Sequence, residues 1–166
     1  MKTKIVLFIL PFLLIVGCNR PTAVAPPDTA AETVKVENLL EKYVIASENQ
    51  DCAMMESIWS PEEDIMLIGT DSKDRLVGWK VIKRAYLNQF SLVTDTYISV
   101  SDQYIRMNAD CNTAWFSQVM KYNFIFEGAA QSFEGLRFTG VVTKKADGWK
   151  IVQAHLSVPA NLNISK

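Results

Sequence analysis

Hydrophobic and polar positions divide the chain into stretches of different period. From residue 31 to about 49, Val36, Leu39, Leu40, Tyr43, Val44 and Ser47 recur at helical spacing, with Lys35, Glu41, Lys42 and Glu48 on the other side. Thr29-Ala30-Ala31-Glu32 before it has the form of a capping box, with Thr29 as cap and Glu32 reaching back. Asp51 is placed to cap a short second helix, Cys52 to Trp59, which Ser60-Pro61 ends, and Asp64 to Thr70 reads as a short apolar strand. A third helix opens at Gly78 and carries Trp79, Ile82, Ala85, Tyr86 and Phe90 on one stripe.

The period then changes to two. Asp95–Met107, Thr113–Glu127, Gln131–Lys145 and the stretch from Gly148 alternate apolar and polar residues, separated by turns bearing Asn or Gly. Four such runs in succession predict an antiparallel meander. Helix, helix, strand, helix and four strands together predict an α+β domain, with three N-terminal helices packed on a curved, mostly antiparallel sheet.

The last run carries the single histidine of the chain. Strict alternation puts Trp149, Ile151, Gln153, His155 and Ser157 on one face. By the same parity Trp115 and Ser117 share a face, as do Phe133, Arg137 and Thr139. If these faces join, then Trp115, Ser117, Arg137, Thr139, Gln153 and His155 line one concave surface, which Trp59, Trp79 and Tyr86 from the helices would close. An aromatic pocket with a few convergent polar groups suits a small ligand. Arg137 in it would grip a carboxylate and His155 would exchange a proton near neutral pH. The same residues have plainer roles. A histidine beside a tryptophan is often structural, Arg137 could pair with Glu134 or Glu127 at a subunit interface, and Trp59, Trp79 and Tyr86 alone read as core.

The N-terminus is a different kind of sequence. Met1-Lys2-Thr3-Lys4 is basic, and Ile5 to Val16 is apolar apart from Pro11, a run with the length of a signal-peptide core. Ile15-Val16-Gly17-Cys18 resembles the lipobox of bacterial lipoproteins, in which the cysteine is acylated and becomes the new N-terminus; the alternative is an ordinary secretory signal. The expected organisation is a signal peptide over 1–17, lipidated Cys18 with a Pro- and Ala-rich tether over 18–30, a folded domain over 31–160 and a tail over 161–166. Asn19 after the cysteine implies the periplasmic face of the outer membrane in a Gram-negative host. The lipid anchor would be the sole membrane contact.

Loss of residues 1–17 removes Lys2 and Lys4 and no acid, leaving 15 basic against 18 acidic residues. A net charge near −3 without a basic stripe argues against nucleic acid as a partner. Cys52 and Cys111 remain, free to pair in an exported compartment or to stay as separate thiols. There is no histidine pair, Cys-x-x-Cys, Gly-x-Ser-x-Gly, phosphate loop or dinucleotide fingerprint, so neither metal nor cofactor is expected. Asp71, Ser72 and Asp74 lack the glycine and glutamate of a calcium loop.

The element order is similar to the cone-shaped nuclear transport factor 2-like fold, and within it to SnoaL-like domains. The likeness rests on Gly78-Trp79-Lys80-Val81-Ile82, Thr113-Ala114-Trp115-Phe116, Arg137-Phe138-Thr139-Gly140-Val141-Val142, Gly148-Trp149-Lys150-Ile151 and His155-Leu156-Ser157. It implies a cone cavity and a homodimer. It implies no single activity, because this fold hosts isomerases, cyclases, dehydratases, binding modules and assembly domains. Binding of a small, partly apolar, potentially anionic molecule is the leading expectation. The alternatives are an isomerase, hydratase or cyclase using His155 or Asp102 for proton transfer, and a dimeric assembly module without a working pocket.

Overall fold

The computed structural model describes residues 27–70 and 75–160. Cys18, most of the tether, the Asp71–Asp74 loop and the 161–166 tail lie outside the described residues. In chain order the elements are α1 (Thr29–Glu48), α2 (Cys52–Ile58), β1 (Met66–Ile68), β2 (Arg75–Val77), α3 (Trp79–Leu92), β3 (Val93–Met107), β4 (Thr113–Phe126), β5 (Ala129–Lys145) and β6 (Gly148–Ser157). The six strands form one sheet in the order β2-β1-β6-β5-β4-β3. All pairs are antiparallel except β1 with β6. The expected α+β architecture is the observed one, with β2 as an additional edge strand. Two-residue Glu127-Gly128 closes the β4–β5 hairpin with both residues at positive φ, the geometry that matches strand twist.

The start of α1 differs from the capping-box reading. Asp28, not Thr29, is the cap, and its carboxylate accepts from the Ala31 N–H at 3.1 Å. Glu32 is thereby free to turn inward. It is buried and accepts from Trp149 Nε1 at 2.8 Å, Lys144 Nζ at 2.8 Å and Lys35 Nζ at 2.7 Å. The two ammonium groups and the indole N–H hold its carboxyl down to about 2. This clasp fastens the first turn of α1 to the β5–β6 hairpin. At the second helix Asp51 caps as expected, accepting from Met54 N–H at 2.9 Å.

The core lies between the helices and the inner sheet face. Phe138 is fully buried, stacked on Tyr43 at 4.3 Å and edge-on to Phe116 at 5.0 Å. Gly140 makes this packing feasible, because a Cβ there would collide with the Gln153 carbonyl and lie 2.8 Å from the Phe116 ring. Cys52 and Cys111 are both free thiols; Cys111 is buried beneath the start of α1, its sulfur 3.4 Å from Thr29 Oγ1.

Bulges control which side chains reach the core. In β6 the register passes from Val141↔Gln153 to Val142↔Ile151, so Val152 is an extra residue. In β5 Glu134 and Gly135 together oppose Lys121, with Gly135 at φ +67°. In β3 there are two register shifts, marked by Asp95 and Asp102 at φ near +50°. Each extra residue reverses the inward–outward phase of the strand beyond it.

Candidate functional site

The β6 bulge corrects the parity of the last strand. Trp149 and Ile151 are buried on the inner face, and past Val152 the inner positions are Ala154 and Leu156. Gln153, His155 and Ser157 therefore turn outward. Register aligns Trp115 with Val141 and Gln153, Ser117 with Thr139 and His155, and Arg137 with Ser157. The structure thus brings Trp115, Ser117, Arg137, Thr139, Gln153 and His155 together on one surface, as expected. It is the outer, convex surface. On β4 the inner neighbours Ala114, Phe116 and Gln118 are buried whereas Trp115 is 48% exposed.

Two further expectations change for the same reason. Phe133 precedes the β5 bulge and faces inward, separated from Arg137 and Thr139. Asp102 is the left-handed residue of a β3 bulge, exposed and 3.3 Å from Ser101 Oγ. An aspartate tolerates positive φ better than most residues, which accounts for it without proton transfer. Within the chain Glu134 pairs with Lys121 at 2.7 Å.

The helix aromatics divide. Trp59 is fully buried and Trp79 almost so, stacked at a 6.4 Å ring separation, with Trp79 Nε1 donating to Glu56 at 3.2 Å. Both are core. Trp79 also edges a smaller surface hollow beside Pro61 and Lys80, and Tyr86 is the one expected ligand contact that lines the cavity under the helices.

That cavity, about 530 Å³ and open to solvent on one side, lies between α1, α3 and the splayed end of the sheet. Phe124, Phe126, Phe133, Leu136 and Leu156 supply its sheet wall, Leu76 one edge, and Ala85, Gln89 and Leu92 the α3 wall. At its base stand Tyr43, Tyr86 and Tyr122. Burial pushes all three phenols above their ordinary value, so they remain neutral donors at physiological pH. Tyr122 Oη accepts from Gln89 Nε2 at 3.4 Å, and the Tyr86 hydroxyl is buried against Tyr43 and Trp59. Among the described lining residues there is no carboxylate, imidazole or ammonium. The described lining suits an uncharged, largely apolar guest. No group of three or more His, Cys, Asp or Glu among the described residues could hold a metal ion.

The signal for this cavity was in β4. Tyr122, Phe124 and Phe126 form a period-two aromatic stripe at the strand's C-terminal end, and all three line the cavity.

The same fold recurs in proteins of known structure. The SnoaL-like domain family model matches residues 36–161. The chain belongs to that family. No curated protein matches the sequence. Among solved structures, a nuclear transport factor 2-like superfamily protein from Salmonella enterica serovar Typhimurium superposes with a TM-score of 0.75 at 16% identity, over 84% of this chain and 99% of that one. A protein of Novosphingobium aromaticivorans provisionally named a scytalone dehydratase gives 0.70 at 13%, over 82% and 90%. One of Xanthomonas campestris, provisionally named a calcium/calmodulin-dependent kinase II association domain, gives 0.66 at 17%, over 77% and 88%. At these identities the likeness is of fold. The SnoaL-like domain here shares its cone with proteins named for catalysis and for assembly alike.

Proposed function

We propose that this SnoaL-like domain is an exported, lipid-anchored binding protein that holds a small, neutral, mostly apolar molecule in its cone cavity. The carrying observation is the open hollow of about 530 Å³, with aromatic and aliphatic walls and three protonated phenols at its base. It falls within the range of small-molecule sites. The anion expected from the sequence depended on Arg137, which stands on the outer face, and the lining favours an uncharged guest. Binding is preferred to catalysis because the described lining residues include no carboxylate or imidazole. The anchor rests on the lipobox-like Ile15-Val16-Gly17-Cys18; no helix among the described residues is long and apolar enough to cross a membrane. Native mass spectrometry of the full chain purified from its own host tests the pocket. A retained small molecule is expected, and Ala85→Trp, which fills the hollow, should release it. An empty wild-type protein, or retention unaffected by Ala85→Trp, would refute the pocket. Incorporation of labelled fatty acid that Cys18→Ala abolishes tests the anchor.

We propose in addition that the outer sheet face pairs two copies of the chain. Supporting this is the placement of Tyr104 and Trp115, each about half exposed, beside Arg137 and His155 on a single surface. Trp115→Glu should shift the mass from dimer to monomer.

A further inference from the structure

The alternation of β6 does not stop where the strand ends. From Leu156, which lines the cavity, every second residue is apolar: Val158, Ala160, Leu162 and Ile164, with Ser157, Pro159, Asn161, Asn163 and Ser165 between them. That is the pattern of a half-buried strand. β5 offers it an edge. β6 pairs with β5 only as far as Ser157↔Arg137, so residues 129–136 of β5 bond β4 on one side and no described strand on the other. Residues 129–134 are exposed, and an edge of this kind accepts a further strand. The chain already follows it beyond Ser157, since a Cβ on Gly135 would stand 3.6 Å from Pro159 Cγ. Pro159, which has no N–H to donate, falls at the β5 bulge, where the ladder is interrupted in any case. At about 3.3 Å per residue, residues 161–166 would cover about 20 Å, the length of edge offered by 129–134. The inner positions of that edge are Ala129, Gln131 and Phe133, opposite Phe126, Phe124 and Tyr122 of the cavity wall. Neighbouring strands share their faces, so an unbroken continuation of β6 sets Leu162 and Ile164 toward the cavity and Asn161 and Asn163 away from it. The same run brings Lys166 to the Glu127-Gly128 turn, where Glu127 has no ion-pair partner among the described residues.

We propose that residues 161–166 extend β6 along the free edge of β5 and close the open side of the cavity with Leu162 and Ile164, retaining a bound apolar molecule. The retention rests on the cavity binding a small molecule; the strand pairing does not. Two aliphatic side chains there would complete the wall of Phe124, Phe133 and Leu156, and a guest would leave only when the added strand peels away. The chain's own segment is the occupant because Pro159 and Ala160 tether it to the edge, at an effective concentration that a free partner would not match.

Hydrogen exchange of the full chain reads the pairing, and stopped-flow release of N-phenyl-1-naphthylamine, a neutral apolar probe, reads the closure. Leu162→Asp combined with Ile164→Asp sets two carboxylates against the aromatic wall, whereas Asn161→Asp with Asn163→Asp sets them on the outer side and serves as control. Amides of residues 129–134 should exchange about tenfold more slowly in the wild type than in the inward variant, and the probe should leave about tenfold more slowly. The outward control should match the wild type in both. Equal exchange in wild type and inward variant would overturn the pairing. Slower exchange in the wild type with identical probe release would overturn the closure. Protection that rises with protein concentration would put a second copy on the edge and overturn the proposal as well. A probe that binds neither chain would remove the cavity reading and the retention with it, while exchange still decides the strand.

Discussion

The two ends of the cone are built from the same residue types and behave differently. At the closed end Phe138, Phe116 and Tyr43 stack above Gly140, and the Glu32 clasp draws α1 onto the β5–β6 hairpin. At the open end Phe124, Phe126 and Phe133 face inward from the same strands but meet a hollow. Local composition does not distinguish them. What differs is what stands opposite: at one end close-packed rings above a missing Cβ and a buried carboxylate held by two lysines, at the other an open hollow. Aromatic side chains opposite close-packed partners are core, and opposite a gap they are a wall.

The contrast is broken most severely at Gly140. Gly140→Val inserts a side chain against the Gln153 carbonyl and the Phe116 ring, with no flexible side chain to yield on the backbone side. We expect a loss of about 3 kcal/mol or more, enough to unfold much of the population, seen in urea denaturation. The same phenylalanine truncation at the two ends is the sharper test. Phe138→Ala should cost about 3–5 kcal/mol, whereas Phe133→Ala, with its ring 41% exposed, should cost about 1 kcal/mol or less and alter probe binding instead. Similar urea midpoints for the two variants would erase the distinction between core and wall.

Glu32→Gln should cost about 1–3 kcal/mol at neutral pH, leaving two ammonium groups without their carboxylate. Its folded-state value of about 2 lies below the ordinary 4.5. The stabilisation it provides is therefore complete above pH 4.5 and is lost as pH falls through about 2. Denaturation midpoints at pH 6, 4 and 3 should decline less in Glu32→Gln than in the wild type; parallel declines would detach the clasp from acid stability. Smallest is the effect of His155→Ala. On the outer face it should leave both monomer stability and the retained ligand unchanged, and native mass spectrometry losing the ligand on this substitution would return His155 to the site.

Much of the architecture was legible in the order of residues. Helix and strand periods, Asp51 as a cap, Gly78 before α3 and the turns of the meander depend on contacts within a few residues, which sequence encodes directly. So does the likeness that placed the chain among SnoaL-like domains. Even the grouping of Trp115, Ser117, Arg137, Thr139, Gln153 and His155 onto one surface followed from alternation, since bulges lie outside the segments that join them.

Tertiary structure alone decided which side of the sheet that surface is. The side an alternating strand presents to the core depends on the running count of extra residues before it, and Val152, Gly135 and Asp102 each change the count by one. The bulge at Val152 has no glycine or positive-φ residue to mark it, so parity carried across it from Trp149 to His155 pointed the imidazole the wrong way. The sequence determined the elements and their order because short-range sterics and hydrogen bonding suffice for them. Where the hollow lies, and that His155 does not reach it, emerged only once distant strands had set one another's phase.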